Sequence, residues 1–171
     1  HVSRGKGQMV VASAAYISGQ RIFDSYYNKI HDYTSKSGVI FTEILTPEYV
    51  PERLTDRETL WNEVEHVERN NKAQLAYSFD IALQNELTLE ENIRLAKEFC
   101  QEQFVARGMI VDLAVHEGKS DNEEEPDNPH FHVLVPIRPF TEEGIWGNKQ
   151  RREYILDEDG NRVKDAKGKD M

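Results

Sequence analysis

Three histidines in the second half of the chain have the spacing of metal ligands. The stretch PDNPHFHVLV (126–135) places His130 and His132 two residues apart, so that in a β-strand both imidazoles project from the same face. The preceding apolar segment, MIVDLAVHEG (109–118), carries His116 near its end. If the two segments pair as antiparallel neighbours, the three imidazoles converge and can hold one divalent cation with positions left open. Three imidazoles alone favour Mn²⁺ or Zn²⁺ over Mg²⁺.

A tyrosine near the start of the chain offers a second kind of chemistry. Tyr16 lies in SAAYISG (13–19), and we expect the small neighbours Ala14, Ala15 and Ser18 to leave room beside it for a nucleic-acid backbone. A tyrosine hydroxyl can attack a phosphodiester and hold the DNA end covalently, once a base or a cation assists it. The alternative is an ordinary helix aromatic that packs on a sheet.

Tyr26 and Tyr27 are the nearest rivals of Tyr16 as a nucleophile. If one helix ran through all three, the rivals would lie about 15 Å from Tyr16. A break at Gly19 would remove this separation.

The order of apolar segments predicts one α+β domain over residues 1–171, with a mostly antiparallel sheet flanked by helices. Capping-box patterns at Thr55 and Thr88 predict two helix starts. A small hairpin over 152–163 and a frayed tail are expected at the end of the chain. The segments that carry the prediction are a helix over 8–23 and strands over 39–45, 74–83, 109–118 and 130–140.

Composition narrows the class of protein. The 171 residues suffice for one domain with a substantial core, and no apolar run has the length of a membrane span. The only cysteine, Cys100, excludes an internal disulfide and predicts a reducing, cytoplasmic setting.

The formal net charge of −10 argues against nucleic-acid binding unless the charge is unevenly distributed. It is uneven: residues 117–128 contain six acids and one lysine. We expect the acidic loop from Ser120 to Asp127 to be mobile and dispensable for chemistry. The candidate phosphate contacts are basic residues at the two ends of the chain: Arg4, Lys6, Lys149, Arg151 and Arg152.

The chain resembles the relaxase domain of the MobA/MobL family of plasmid mobilisation proteins, which are endonucleases with a histidine-hydrophobic-histidine motif. Four segments carry the likeness, and with the helices between them they cover nearly the whole chain. They are SRGKGQMVVASAAYISGQRI (3–22), HDYTSKSGVIFTEILTPE (31–48), LAVHEG…DNPHFHVLV (113–135) and RPFTEEGIWGNKQRREYILDEDGNRV (138–163).

The resemblance implies that Tyr16 attacks one phosphodiester of single-stranded DNA at a plasmid transfer origin, leaving a 3′-hydroxyl and a 5′-phosphotyrosine. It implies that His116, His130 and His132 bind Mg²⁺ or Mn²⁺. Asp80, in SFDIAL, stands where relatives commonly carry glutamate, and would orient a histidine or assist proton transfer. Accessory mobilisation proteins and a coupling protein are implied as partners, and further domains would follow in a longer protein.

Three other functions are compatible with the same residues. A metal-dependent hydrolase would use activated water at the three histidines, with Tyr16 only structural. A rolling-circle replication initiator would also nick DNA, although such initiators generally carry the tyrosine after the histidine pair, whereas here it precedes them. A catalytically idle module would keep the fold and bind nucleic acid. A covalent bond between protein and DNA separates the strand transferase from the hydrolase and the idle module.

Overall fold

A five-stranded sheet forms the centre of the protein, and each pair of neighbouring strands in it is antiparallel. The computed structural model describes residues 1–150 and 154–171. The strand order is β1-β5-β7-β6-β4, with bounds β1 Val2–Ser3, β4 Val39–Leu45, β5 Gln74–Ala82, β6 Val111–His116 and β7 His130–Pro136. The predicted α+β class and the mostly antiparallel sheet are confirmed.

Helices cover both faces of this sheet. Helices α1 (Val10–Ser18) and α2 (Arg57–Val67) share a core with one face, which includes Ala114 and Leu134. Helix α3 (Leu89–Gln103) packs through Ala96 and Cys100 on the other face. No helix in the described residues is long and apolar enough to cross a membrane.

The strand periodicity decides what each face carries. Alternate residues of β6 and β7 point to the same side, so that Val111, Leu113 and Val115 pack with α3 while His116 emerges on the α1 side. The histidine pair of β7 lies on that same α1 side. The functional candidates therefore lie on the face that α1 covers.

The helix expected over residues 8–23 is shorter than predicted. Helix α1 ends at Ser18, because Gly19 adopts a left-handed conformation with φ of 64°. Residues Arg21–Asp24 (β2) and Lys29–Asp32 (β3) then form a separate two-stranded antiparallel hairpin. Tyr26 and Tyr27 thus lie in the turn of a hairpin rather than further along a helix.

A buried ion pair fastens α2 to the strand that ends in His116. The Arg57 guanidinium donates to both carboxylate oxygens of Asp112 at 2.8–3.0 Å, and Trp61 Nε1 donates to the same carboxylate at 2.8 Å. Asp112 is fully buried, so these donors replace the water that its charge would otherwise require. The contact fixes the position of β6 relative to α2.

The helix starts follow the sequence in one case and not in the other. The capping box of Thr88 and Glu91 is present at the start of α3. The cap of α2 is Asp56, which accepts from the Thr59 N–H, and not Thr55. Asp56 caps the helix because its carboxylate accepts from the first turn. The Thr55 hydroxyl instead donates to the preceding Glu52 O at 2.6 Å.

The end of the chain is tied by two successive turns. Leu156 pairs with Arg162 around the turn at Gly160, as the expected hairpin requires, and Lys164 pairs with Asp170 around Gly168. The last residue also bonds back, since the Met171 N–H donates to Val163 O at 2.9 Å. The expected frayed tail is therefore folded against the hairpin in this structure.

Candidate metal centre and tyrosine cleft

The register of three neighbouring strands brings the histidines together. His116 lies opposite His130 in the β6–β7 ladder, and His132 lies opposite Asp80 in the β5–β7 ladder. The ring centroids are 4.4–5.2 Å apart. One nitrogen from each ring lies within 4.8 Å of the other two. This is the convergence that the hairpin prediction requires.

Each imidazole is oriented by a separate hydrogen bond to an oxygen. His116 Nε2 donates to Ile17 O at 2.7 Å, and His130 Nδ1 donates to Asn128 O at 2.8 Å. His132 Nδ1 donates to the Asp80 carboxylate at 2.5 Å. Because carbonyl and carboxylate oxygens can only accept, the bonded nitrogen in each ring carries the proton. In the neutral form of each ring, the second nitrogen has a lone pair.

The environment keeps two of these rings neutral. Burial lowers the pKa of His116 to about 4; the charges of His132, Lys36 and His130 act in the same direction, while the bond to Ile17 O opposes them. Burial also lowers the pKa of His132, against the opposing effect of Asp80. Burial of His132 therefore favours its neutral form, which can still donate its Nδ1 proton to Asp80.

The three histidines fit a divalent cation. Neutral imidazoles with converging lone pairs are the form that binds metal, and an oxygen partner on the other ring nitrogen is the usual means of holding such ligands. Asp80 takes the part of that partner for His132, with its side chain 71% exposed. The geometry accommodates an orienting role for Asp80 and leaves its carboxylate open to the cleft.

Tyr16 lies in the same cleft as this centre. Its side chain is half exposed, and it lines a cleft of about 380 Å³ together with Tyr33, Ser78, Asp80 and His132. The next residue, Ile17, is the one whose carbonyl holds His116. Helix α1 thus positions the tyrosine and one histidine together.

The space beside Tyr16 comes from other residues than expected. Ala14, Ala15 and Ser18 are buried in the core side of α1, and the Ser18 hydroxyl donates to Ala14 O at 2.7 Å. The cleft is lined instead by the preceding turn of the helix, at Ala12 and Ser13. The helical period accounts for the difference, since residues 12, 13 and 16 share one face.

The rival tyrosines occupy a different surface. The Tyr26 ring lies 4.4 Å from the Arg4 guanidinium carbon and 5.6 Å, between centroids, from the His66 ring. Tyr27 stacks edgewise on Tyr26. Both belong to the side of the molecule that faces α2, whereas Tyr16 faces the histidines.

Arg4, the first of the candidate phosphate contacts, is bound within the fold. Arg4 is buried, and its guanidinium donates to Glu65 and to the carbonyls of Glu68 and Asn70. This guanidinium joins the first turn of the chain to the end of α2, and the structure gives no support to the expected contact of Arg4 with DNA.

The remaining candidate phosphate contacts are Lys6, Lys149, Arg151 and Arg152. The Lys149 ammonium donates to Glu68 at 2.8 Å and to Gln74 O at 3.0 Å, so that these two bonds use most of its hydrogen-bond donors. Lys6 is exposed, and its role stays a prediction. Arg151 and Arg152 lie outside the described residues.

Two residues that contact the Tyr16 ring were not singled out by the sequence. Tyr33 meets the Tyr16 ring edge to face, at 5.4 Å between centroids. The Lys36 ammonium lies 3.4 Å from the centroid of the same ring. Both come from YTSKSG (33–38), a polar linker directly before an apolar strand, within one of the segments that carry the family resemblance.

Comparisons with known proteins agree with this geometry. The MobA/MobL family is matched over residues 8–171. The chain is 35% identical to the conjugal transfer protein TraA of Agrobacterium fabrum (strain C58), over 98% of this chain and 15% of that protein. It is 34% identical to a probable mobilization protein MobA of Bifidobacterium longum, over 95% of this chain and 28% of the relative.

A solved structure described as "Molecular Basis of Vancomycin Resistance Transfer in Staphylococcus aureus" has the same fold. It has a TM-score of 0.77 and is 37% identical, with 88% of this chain and 73% of that chain covered. The chain spans less than a third of the length of the TraA and MobA relatives. From the family match over residues 8–171 and these likenesses, the chain belongs to the MobA/MobL family.

Proposed function

We propose that this chain is a relaxase domain that cuts and rejoins one strand of DNA at a plasmid transfer origin, through a covalent 5′-phosphotyrosine on Tyr16. The relatives are named for conjugal transfer and mobilization, which is the process that such a reaction starts. The substrate would be single-stranded, because a phosphate inside a duplex cannot reach a tyrosine and a metal centre together without being extruded.

One observation carries this proposal: Tyr16 and the histidine centre open into the same cleft. The cleft is lined by both Tyr16 and His132, and by Asp80, which bonds His132. A hydrolase that uses activated water has no need of an exposed tyrosine at this place. The tyrosine's half-exposed ring instead presents a hydroxyl to an incoming phosphodiester.

The residues divide the chemistry between them. Tyr16 Oη forms the new bond to phosphorus, the bond from phosphorus to the 3′ oxygen breaks, the phenolic proton is released, and the 3′ oxygen ends as a hydroxyl. A divalent cation bound by the histidines would neutralise charge on the scissile phosphate. Asp80 keeps the proton of His132 on Nδ1, so that Nε2 is free to face that cation. Rejoining is the reverse displacement by the 3′-hydroxyl.

The test is whether DNA becomes attached to Tyr16. Overlapping single-stranded oligonucleotides, labelled at the 3′ end, would tile both strands of the DNA that flanks the coding sequence. With Mn²⁺ or Mg²⁺ present, the wild-type protein should carry the label through a denaturing gel at one origin sequence. Tyr16→Phe removes only a hydroxyl, so that metal and DNA binding should persist while adduct and cleavage both vanish.

The controls separate the alternatives. Tyr27→Phe, on the other surface, should form the adduct at the wild-type rate. Cleavage by Tyr16→Phe without an adduct would indicate the hydrolase, and binding without cleavage by the wild type would indicate the idle module. An adduct of normal yield in Tyr16→Phe would show that the nucleophile is another residue. Equal cutting of a linear duplex and of its separated strand would contradict the single-stranded substrate.

A further inference from the structure

The linker between β3 and β4 is anchored beside both the tyrosine and the histidines. At its start the Tyr33 N–H donates to Gln20 O at 3.1 Å, just beyond the end of α1. At its end Gly38 O accepts from the Glu117 N–H at 2.9 Å, next to the pairing of Val39 with His116. The segment 33–38 therefore has a fixed place over the cleft.

Lys36 projects from this linker onto the tyrosine. Its ammonium nitrogen lies 3.4 Å from the centroid of the Tyr16 ring and donates to the Tyr16 carbonyl at 3.1 Å. With Tyr33 meeting the ring edge to face, the phenol is held by two contacts from one linker. A cation over an aromatic face is attracted by the ring's negative face, and this attraction favours the ring orientation seen here.

The ammonium of Lys36 lies beside an aromatic ring and not beside a carboxylate in the described residues. Lys97 pairs with the carboxylate of Glu43, and Lys149 pairs with that of Glu68. For Lys36, no ion pair occurs within residues 1–150 and 154–171.

We propose that Lys36 is a positioning residue for Tyr16: its ammonium holds the phenol ring toward the cleft and supplies a positive charge over the face of the ring whose oxygen becomes bonded to phosphorus. This inference rests on the proposed strand transfer and adds to it a specific residue. As the hydroxyl loses its proton, negative charge develops on the phenol, and a fixed cation nearby stabilises that charge more than the neutral ground state. The same cation remains beside the phosphotyrosine that is formed.

The experiment compares two substitutions at Lys36 in the protein as it exists. Lys36→Met keeps the length of the stem and removes the charge, whereas Lys36→Arg keeps the charge and the contact with the ring. Lys97→Met is the matched control, because Lys97 also lies near an aromatic ring, that of Phe41, but on the α3 side of the sheet. Thermal unfolding, Mn²⁺ binding and DNA binding by fluorescence anisotropy accompany each rate.

The expected result is a separation of rate from binding. At saturating oligonucleotide, Lys36→Met should form the covalent adduct about tenfold to a hundredfold more slowly, while the dissociation constants for DNA and Mn²⁺ change little. Lys36→Arg should recover most of the rate, and Lys97→Met should match the wild type. Lys36→Gln serves as a second neutral variant if the methionine variant does not fold.

Three outcomes would overturn the inference. A wild-type adduct rate in folded Lys36→Met or Lys36→Gln would show that the charge is not used. An equal loss in the arginine and methionine variants would show that only the lysine's packing matters. No adduct in the wild type with any tiled oligonucleotide would remove the proposed strand transfer, and this inference with it.

Discussion

Individual side chains link the three-histidine cluster to the tyrosine through a short covalent and hydrogen-bonded path. The carbonyl that orients His116 belongs to Ile17, the residue after Tyr16. A shift of α1 that moves the phenol therefore also moves one histidine. Asp80 provides the corresponding contact to His132 from β5. The positions of the tyrosine and of the histidine rings therefore depend on each other.

The lowered pKa of His116 predicts how the metal-free protein responds to acid. In the unfolded chain this imidazole has its ordinary pKa of 6.5, whereas in the folded protein the pKa is about 4. Between these values the unfolded state takes up a proton that the folded state does not. The free energy of unfolding should therefore fall as pH decreases from about 6.5 to about 4, by up to about 3 kcal/mol.

Urea unfolding of the chelator-treated protein at several pH values measures this loss. His116→Gln cannot take up the proton, so its free energy of unfolding should fall less steeply over the same range. The wild-type advantage over His116→Gln should be greatest above pH 6.5 and should shrink toward pH 4. Parallel curves for the two proteins would contradict the assignment of the acid response to His116.

For single residues, the sequence predicts the contacts that depend on strand alternation and misses the contacts that join distant segments. His130 and His132 share a face because they are two residues apart, and a hairpin alone then adds His116. The contact of Lys36 with Tyr16 joins residues 20 apart, and that of Arg4 with Glu65 joins residues 61 apart. No local periodicity encodes either contact.

Among the secondary-structure elements, the loop between β6 and β7 is closed by one glycine. Gly118 has a φ of 57°, and its carbonyl accepts from the Asn128 N–H at 2.8 Å. The carbonyl of Asn128 in turn holds His130. A Cβ atom at residue 118 would overlap that carbonyl oxygen. The closure of the loop and the orientation of one histidine therefore depend on the same close approach.

We predict that Gly118→Ala lowers Mn²⁺ affinity by about tenfold, because the displaced Asn128 carbonyl no longer orients His130. Isothermal titration with Mn²⁺ measures the change. Gly144→Ala is the matched control: Gly144 also has a positive φ, of 81°, and an added Cβ there meets no atom within 4 Å in the described part of the chain. The control should show only the strain of an alanine at positive φ, about 1 kcal/mol, in its stability. Equal metal affinities for both variants would refute this role of the loop.

The strands that carry the site were predictable, whereas the end of α1 was not. The segments of β5, β6 and β7 alternate clearly and are separated by turn residues. In RIFD (21–24) the burial alternates as well, but four residues that follow a helix do not establish a strand from sequence alone. Asp24, which accepts from the backbone N–H groups of Tyr26 and Tyr27, supplies the turn that makes the hairpin.

For the whole molecule, the net charge of −10 must be reconciled with an anionic substrate. The acidic residues of 117–128 lie in the loop that joins the strand ends carrying His116 and His130. The acidic residues of α3 lie on the opposite face of the sheet from the cleft. Hydrogen bonds shape the acidic loop: within it the Ser120 N–H donates to Asp127 at 3.0 Å, and from the segment after β5 Asn85 donates to Asp127 O at 2.5 Å. Removing charges without shortening the loop is therefore the better test of its effect.

We predict that Glu123→Gln/Glu124→Gln strengthens binding of single-stranded DNA at low ionic strength by about threefold to tenfold, by removing repulsion beside the cleft. The difference from the wild type should nearly vanish at 1 M salt, where the screening length is about 3 Å, and the adduct rate at saturating DNA should not change. Fluorescence anisotropy over a salt series gives the affinities. Glu98→Gln/Glu102→Gln, on α3, removes the same charge from the far side of the sheet and should change the affinity much less. Equal gains in both variants would assign the effect to net charge alone, and loss of Mn²⁺ binding in the loop variant would identify one of its carboxylates as a metal ligand.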